Sequence, residues 1–424
     1  MPDTATDPGI RHLADVLDVG HALRDAPDEG FIARMRSRFP TEREFDKMLT
    51  RKARQRSLPR RTATTLKDFA LCLDAFLRDQ VQGSFKVSRL RWMSGGGSKI
   101  QLAFALDWND PENGHTSTDM VIRMEPQESL NATSRLRESQ LLRAFAGTLP
   151  VPRVYWVDDE GQWFPEPSLI YAFADGVSKP TAIEGRVGGV ASDFGSRLRP
   201  LLGPQFVDHL AAIHSFDFSQ SDLSAFDVPK IGSTESALWQ LNRARRVWEE
   251  DRGEEFPLLE IASNWLERNL PTLDRVSVLH GDYRSGNFLF DEPSGNITAW
   301  LDWERGYLGD RHRDLAWITI PQFGHYADDG TTYLVSGLVP LKEFFARYEA
   351  ASGLKVDMAK LRYYRILNNY QLVASTLGTA YRVARLGRSH QDVLLTWIEG
   401  VVYSVADDLR IALMEETALM EETA

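Results

Sequence analysis

The stretch VLHGDYRSGNFLF, residues 278–290, decides how this chain is read. Its ends, Val278-Leu279 and Phe288-Leu289-Phe290, have the composition of short buried strands. Between them stand His280, Asp282, Arg284, Ser285 and Asn287, with Gly281 and Gly286 interspersed. Glycine lets a loop close tightly. Asp282 and Asn287 are five positions apart, which around a glycine allows both side chains to point into one cleft.

His280, Asp282 and Asn287 reproduce H-x-D-x-x-x-x-N, the spacing of the kinase catalytic loop. In that loop the Asp accepts the proton of the attacking hydroxyl, and the Asn amide oxygen ligates a metal bridging ATP phosphates. The transition state is loose, so positioning matters more than basicity and Asp282 needs no raised pKa. His280 is assigned to holding the loop. A second acidic loop follows in WLDWERG, residues 300–306. Asp302 ends an apolar run there, as the Asp of D-F-G does before binding Mg²⁺. Mg²⁺ keeps waters and takes one or two protein carboxylates, so Asn287 with Asp302 is a sufficient set. Glu304 could assist, or be a surface or hinge carboxylate.

Working outward, 424 residues suggest two lobes and an extension. A hydrophobic content of 43% fits a packed globular protein. No apolar run approaches a membrane span, and MPDTATDPGIRHLADVLD has no apolar signal core, so a cytoplasmic protein without a membrane partner is expected. The single cysteine, Cys72, excludes an internal disulfide framework and a multi-cysteine metal site. A net charge of −11 argues against nucleic acid as a partner. The basic run RKARQRSLPRR, 51–61, reads as a solvated helix face or an interface with acidic neighbours.

Residues 1–83 read as a helical N-terminal extension, with Leu66, Phe69, Leu73, Phe76 and Leu77 at helical spacing. Five strands and one helix follow in a β-rich lobe, 84–176. Within it SGGGS, 94–98, lies between two strands, where a glycine-rich loop covers phosphates with backbone N–H groups; Gly95, Gly96, Gly97 and Ser98 are the candidates. Lys99 does not fit a Walker A spacing. Arg123, in VIRM on the third strand, stands where kinases carry a phosphate-binding Lys, and Glu138 in the following helix is its candidate ion-pair partner. LIYAFADG, 169–176, reads as the hinge. Residues 177–412 form a larger, mostly helical lobe. LMEETALMEETA closes the chain as a duplicated acidic tail, 413–424, expected to fray.

VLHGDYRSGNFLF…AWLDWERGYLGDRHRDLAW resembles the aminoglycoside phosphotransferase/choline kinase-like family, and within it the branch that includes kinase domains attached to acyl-CoA dehydrogenases. GGGSK…MVIRMEP, RESQLLRAF…LPVPRVYWV and LAAIHSFD are similar to the family's N-lobe and mid-region, and the likeness spans about residues 84–320. The resemblance implies an α+β, protein kinase-like bilobal fold with a small β-rich N-lobe and a larger helical C-lobe. It implies Asp282 as base, Asn287 and Asp302 as Mg²⁺ ligands, and Arg123 with Glu138 on the phosphate side. Asp310 and Asp314 would support the loops. Arg311 stands where the family usually has Pro, which puts the local turn in doubt.

The expected activity is an ATP-dependent kinase acting on a hydroxyl of a small molecule, with GTP as an open alternative to ATP. A protein kinase is disfavoured, because eleven residues separate Asp302 from Asp314 and no A-P-E follows. An aminoglycoside-type antibiotic kinase and a non-catalytic nucleotide-binding module are the other readings, and homodimerisation stays open. The acceptor is expected near the helices of 340–412, which offer Tyr363, Tyr364, Asn368, Asn369, Tyr370, Tyr381 and Arg382. Their basic, aromatic character leans toward an anionic or partly apolar hydroxy compound, such as a hydroxyacyl thioester, since a polycation needs an acidic pocket.

Overall fold

The structure is a computed structural model, and it describes residues 22–58, 64–93, 99–126, 131–182, 192–387 and 392–423. Three helices come first among them: α1 (Glu29–Arg38), α2 (Arg43–Arg56) and α3 (Leu66–Gln80). Asp28 caps α1, and a Thr65–Asp68 capping box opens α3. An antiparallel sheet of β1 (Lys86–Trp92), β2 (Ile100–Asp110), β3 (Gly114–Met124), β4 (Val154–Asp158) and β5 (Ser168–Ala172) follows, in the order β1-β2-β3-β5-β4. Helix α4 (Arg135–Phe145) lies between β3 and β4 in the chain.

Period-two alternation divides this sheet. Leu102, Phe104, Leu106, Met120 and Ile122 face α3, where Phe69, Leu73, Phe76 and Leu77 cover them. Val121, Leu169 and Tyr171 face the other way and join Leu141, Leu142 and Phe145 of α4 in the main core. Helix α3, read from sequence as part of an extension, thus covers one face of the sheet.

The chain leaves β5 through residues 173–177, where Val177 bridges to Phe290. The second lobe holds α5 (Gly195–Ser215), α6 (Glu235–Asp251) and α7 (Pro257–Arg268). Next come β6 (Ser277–Leu279), β7 (Phe288–Asp291), β8 (Asn296–Trp300) and β9 (Tyr307–Gly309), paired β6 with β9 and β7 with β8. Helices α8 (His312–Ile318), α9 (Leu341–Ser352), α10 (Met358–Leu386) and α11 (Asp392–Thr423) complete it. The tail does not read as frayed: α11 runs on to Thr423, and Glu415 and Glu416 each meet an α10 arginine, Arg365 and Arg362, at 2.7 Å. No described helix is long and apolar enough to cross a membrane.

Candidate active site

The polar loop of 280–287 leaves β6 and is held from behind by Asp314, at the first turn of α8. Its carboxylate accepts from the backbone N–H groups of His280 (2.8 Å) and Gly281 (3.0 Å). Gly281 has φ +79°, and a Cβ there would lie 2.3 Å from the Arg305 carbonyl oxygen, so the turn requires glycine. His280 is buried. Its Nε2 donates to the Leu301 carbonyl at 2.9 Å, and its Nδ1 accepts from Asp282 N at 3.3 Å. Burial lowers its pKa, which favours the neutral tautomer these two bonds need. Tyr283 stacks on Trp300 with ring centroids 4.1 Å apart and donates to the Phe206 carbonyl, fixing the loop to α5.

Asp282 keeps 15% of its side chain exposed. Its Oδ1 accepts from Trp317 Nε1 (2.9 Å) and Arg284 Nε (3.2 Å). Asn287 Nδ2 donates to the Asp282 carbonyl at 2.7 Å, so the amide Oδ1 is the acceptor end of that side chain. The Asn287 carbonyl in turn accepts from Leu301 N at 2.8 Å. One backbone bond therefore stitches the loop of Asp282 and Asn287 to the loop of Asp302.

Asp302 has φ 65° and ψ 40°, the left-handed region that costs a non-glycine residue free energy. That conformation presents a carboxylate with 31% exposure to Arg123, which it contacts through Nη2. Arg123 also meets Glu304 at 2.7 Å and Glu138 at 3.4 Å. Glu304 is not a surface carboxylate: its side chain is 6% exposed and also meets Lys99 and Arg135, each at 3.2 Å. Arg135 reaches Glu138 at 2.5 Å, and Lys99 reaches Glu125 and Thr133 at 3.3 Å. Burial pushes the Glu304 pKa up, but Lys99, Arg123 and Arg135 outweigh it and hold the carboxyl well below its usual range. Burial wins at Glu138, whose pKa is raised despite Arg135 and Arg123. The cluster is a buried alternation of charge around Glu304.

The structure thus brings together His280, Asp282, Asn287 and Asp302, and separately joins Arg123 to Glu138 and Asp302. Gly95, Gly96, Gly97 and Ser98 lie outside the described residues. Lys99, Arg135 and Trp317 were missed from sequence. Walker A spacing does not single out Lys99, although its place directly after the glycine run is a usable signal. Arg135 stands three residues before Glu138 in the first turn of α4, a helical neighbour.

The proposed acceptor residues of α10 need correction. Tyr363, Tyr364, Asn368, Asn369, Tyr370 and Arg382 are buried, while Tyr381 is partly exposed. Helix α10 packs against α6, α7, α8 and α11, so it has little open face. Arg382 meets Asp251, Asn368 donates to the Arg313 carbonyl, and Arg385 meets Asp25. Its cations are committed to carboxylates of this chain. Around Asp282 the cationic groups are instead Arg284 and the half-buried Arg305, whose guanidinium lies 4.6 Å over the Trp317 ring.

The two lobes, their antiparallel sheet and the acidic loops of the helical lobe define a protein kinase-like phosphotransferase fold. The chain belongs to the phosphotransferase enzyme family (APH), whose model matches residues 108–364. It is 23% identical over 252 residues to mouse acyl-CoA dehydrogenase family member 10, covering 55% of this chain and 22% of that one. It is 23% identical over 208 residues to Pongo abelii acyl-CoA dehydrogenase family member 11, covering 46% and 26%. The chain therefore spans about a quarter of the length of these curated relatives. A crystal structure from Ralstonia eutropha, provisionally described as an aminoglycoside phosphotransferase, superposes with a TM-score of 0.59 at 20% identity, covering 82% of this chain and 98% of that one.

Proposed function

We propose that this phosphotransferase moves the γ-phosphoryl group of Mg-ATP to a hydroxyl of a small anionic molecule, with Asp282 as the base. The observation that carries the proposal is the junction of the two acidic loops: Asn287 is tied to Asp282 through its amide and to Leu301 through its carbonyl. Asn287 Oδ1 and the partly exposed Asp302 carboxylate form a hard-oxygen donor set suited to Mg²⁺. When bound, Mg²⁺ neutralises phosphate charge. Lys99, Arg123 and Arg135 supply fixed positive charge on the nucleotide side, and Glu138 with Glu304 keeps their geometry. Asp282 orients the acceptor hydroxyl and takes its proton as the oxygen bonds to phosphorus and the bond to the β-phosphate oxygen breaks. Trp317 Nε1 and Arg284 fix the rotamer of that carboxylate.

The leaning toward an anionic acceptor rests on Arg284, which meets Asp282 at 3.2 Å, and on Arg305, whose charge interacts with that carboxylate, rather than on the helices of 340–412. A nucleotide-consumption screen across hydroxy acids, their thioesters, sugars, amino alcohols and aminoglycosides, run with ATP and with GTP, tests the reading. Turnover of hydroxy acids or their thioesters is expected, and turnover of aminoglycosides alone would overturn the acceptor class. Asp282→Asn should cut turnover by about 10²–10⁴-fold while Mg-ATP binding survives. Full turnover by the variant would remove Asp282 from the role of base. A wild-type protein that neither binds nor consumes either nucleotide would favour a non-catalytic module.

A further inference from the structure

Helix α2 carries none of the chemistry above, yet it ties both lobes to the loop that begins at Asp302. Glu42, which precedes its first turn, is buried. Its Oε2 meets Arg137 Nη2 at 2.9 Å, and its Oε1 accepts from Gln240 Nε2 of α6 at 3.2 Å. Arg137 Nη2 also donates to the Gly306 carbonyl at 3.0 Å, and its guanidinium lies 4.3 Å over the Phe226 ring. Two residues on, Glu44 accepts from the hydroxyl of Ser134, the N-cap of α4, at 2.8 Å. Farther along α2, Asp46 and Thr50 bind Arg246 of α6, and Arg56 binds Asp251.

The consequence lies in two adjacent α4 residues. Glu138 holds Arg123, which holds Asp302 and Glu304 at the start of the loop. Arg137 holds Gly306 at its end. The loop is thus pinned at both ends from one helix, and Glu42 anchors the guanidinium of the second pin. We infer that Glu42 is a positioning residue for Mg-nucleotide binding, acting through Arg137 and the Gly306 carbonyl on the carboxylate of Asp302. This rests on the proposed role of Asp302 as a metal ligand. A neutral side chain at 42 would leave the Arg137 guanidinium buried against an aromatic ring and a carbonyl, free to shift away from Gly306.

Calorimetric titration of the full chain with ATP, in Mg²⁺ and again in EDTA, separates positioning from general damage. Glu42→Gln should weaken Mg-ATP binding roughly tenfold, with metal-free ATP binding unchanged. Arg54→Ala breaks an exposed α2 pair with Glu29 and should match wild type in both titrations. Equal losses with and without Mg²⁺, or unaltered Mg-ATP affinity in Glu42→Gln, would overturn the inference. Should Glu42→Gln fail to fold, Glu42→Asp, which shortens the reach to Arg137, is judged by the same two titrations. Wild-type protein that binds no Mg-ATP overturns the kinase reading and this inference together; wild-type binding with an unaltered Glu42 variant overturns the inference alone.

Discussion

At the scale of single residues, the arrangement turns on how one carboxylate is aimed. Asp282 Oδ1 has two donors, and the Trp317 indole is the one that comes from another element. Trp317→Phe keeps an aromatic ring beneath Arg305 while removing the N–H together with part of the indole. A hydrogen bond to a charged group contributes about 1.5–3 kcal/mol, so kcat with the acceptor found by the screen should fall ~10–100-fold. The nucleotide KM should hold, because nothing on the phosphate side changes. A kcat unchanged in the variant would show that Arg284 alone orients the base. That Asp282, Asn287 and Asp302 lie on two joined loops is legible in the sequence, because loop spacing within one short stretch limits where such side chains can go. Trp317, Lys99 and Arg135 are not legible in this way. Their partners Asp282 and Glu304 lie 35, 205 and 169 positions away, respectively, and those long-range meetings leave no local pattern, although Arg135 also pairs with Glu138 three residues on. Glu304 was half read for the same reason: its position by Asp302 was plain, but three cations from the other lobe decide that it is buried.

At the scale of elements, α3 shows why a boundary drawn from pattern alone falls in the wrong place. Its apolar spacing was legible as an amphipathic helix, but periodicity says that a face is covered and not by what. The covering surface is the even-numbered face of β2 and β3. Phe76 packs in the same cluster, edge-on to Trp156 and Trp163 with centroids 6.0 and 6.1 Å away. Phe76→Ala should therefore cost about 3–5 kcal/mol, as core Phe truncations do, read from the urea midpoint of the whole chain. A loss below about 1 kcal/mol would mean that α3 is an appendage the sheet can do without. Helix α10 teaches the converse. Its tyrosines, asparagines and arginines read as a binding face, yet four helices surround it and the polar groups serve packing and internal ion pairs. A polar residue in a helical pattern has two explanations, and only the neighbours choose between them.

At the scale of the whole molecule, three histidines, His214 and His280 buried and His209 half-buried, couple the fold to pH. His209 accepts from Trp300 Nε1 at 2.9 Å, His214 lies between Tyr348 and Asp314, and His280 spans Asp282 N and the Leu301 carbonyl. Burial lowers all three from their ordinary 6.5, at His214 and His280 against the pull of Asp314. The unfolded chain takes up protons at these residues near pH 6.5, where the folded chain does not. Stability is therefore fully present above about pH 6.5 and lost as pH falls below it. Each histidine contributes a limiting slope of ~1.4 kcal/mol per pH unit. Glu138 and Glu250 work the other way, since burial raises both and lets the folded state take protons that the unfolded state declines. Three groups oppose two, so the urea midpoint should drop between pH 7 and pH 5.5 while the denaturant slope holds. A flat or rising midpoint would mean that the two glutamates balance the histidines or that the histidines protonate in place. Activity of the chain that stays folded should outlast this loss, because the lowered His280 pKa keeps the imidazole neutral and able to accept from Asp282 N, the backbone of the proposed base.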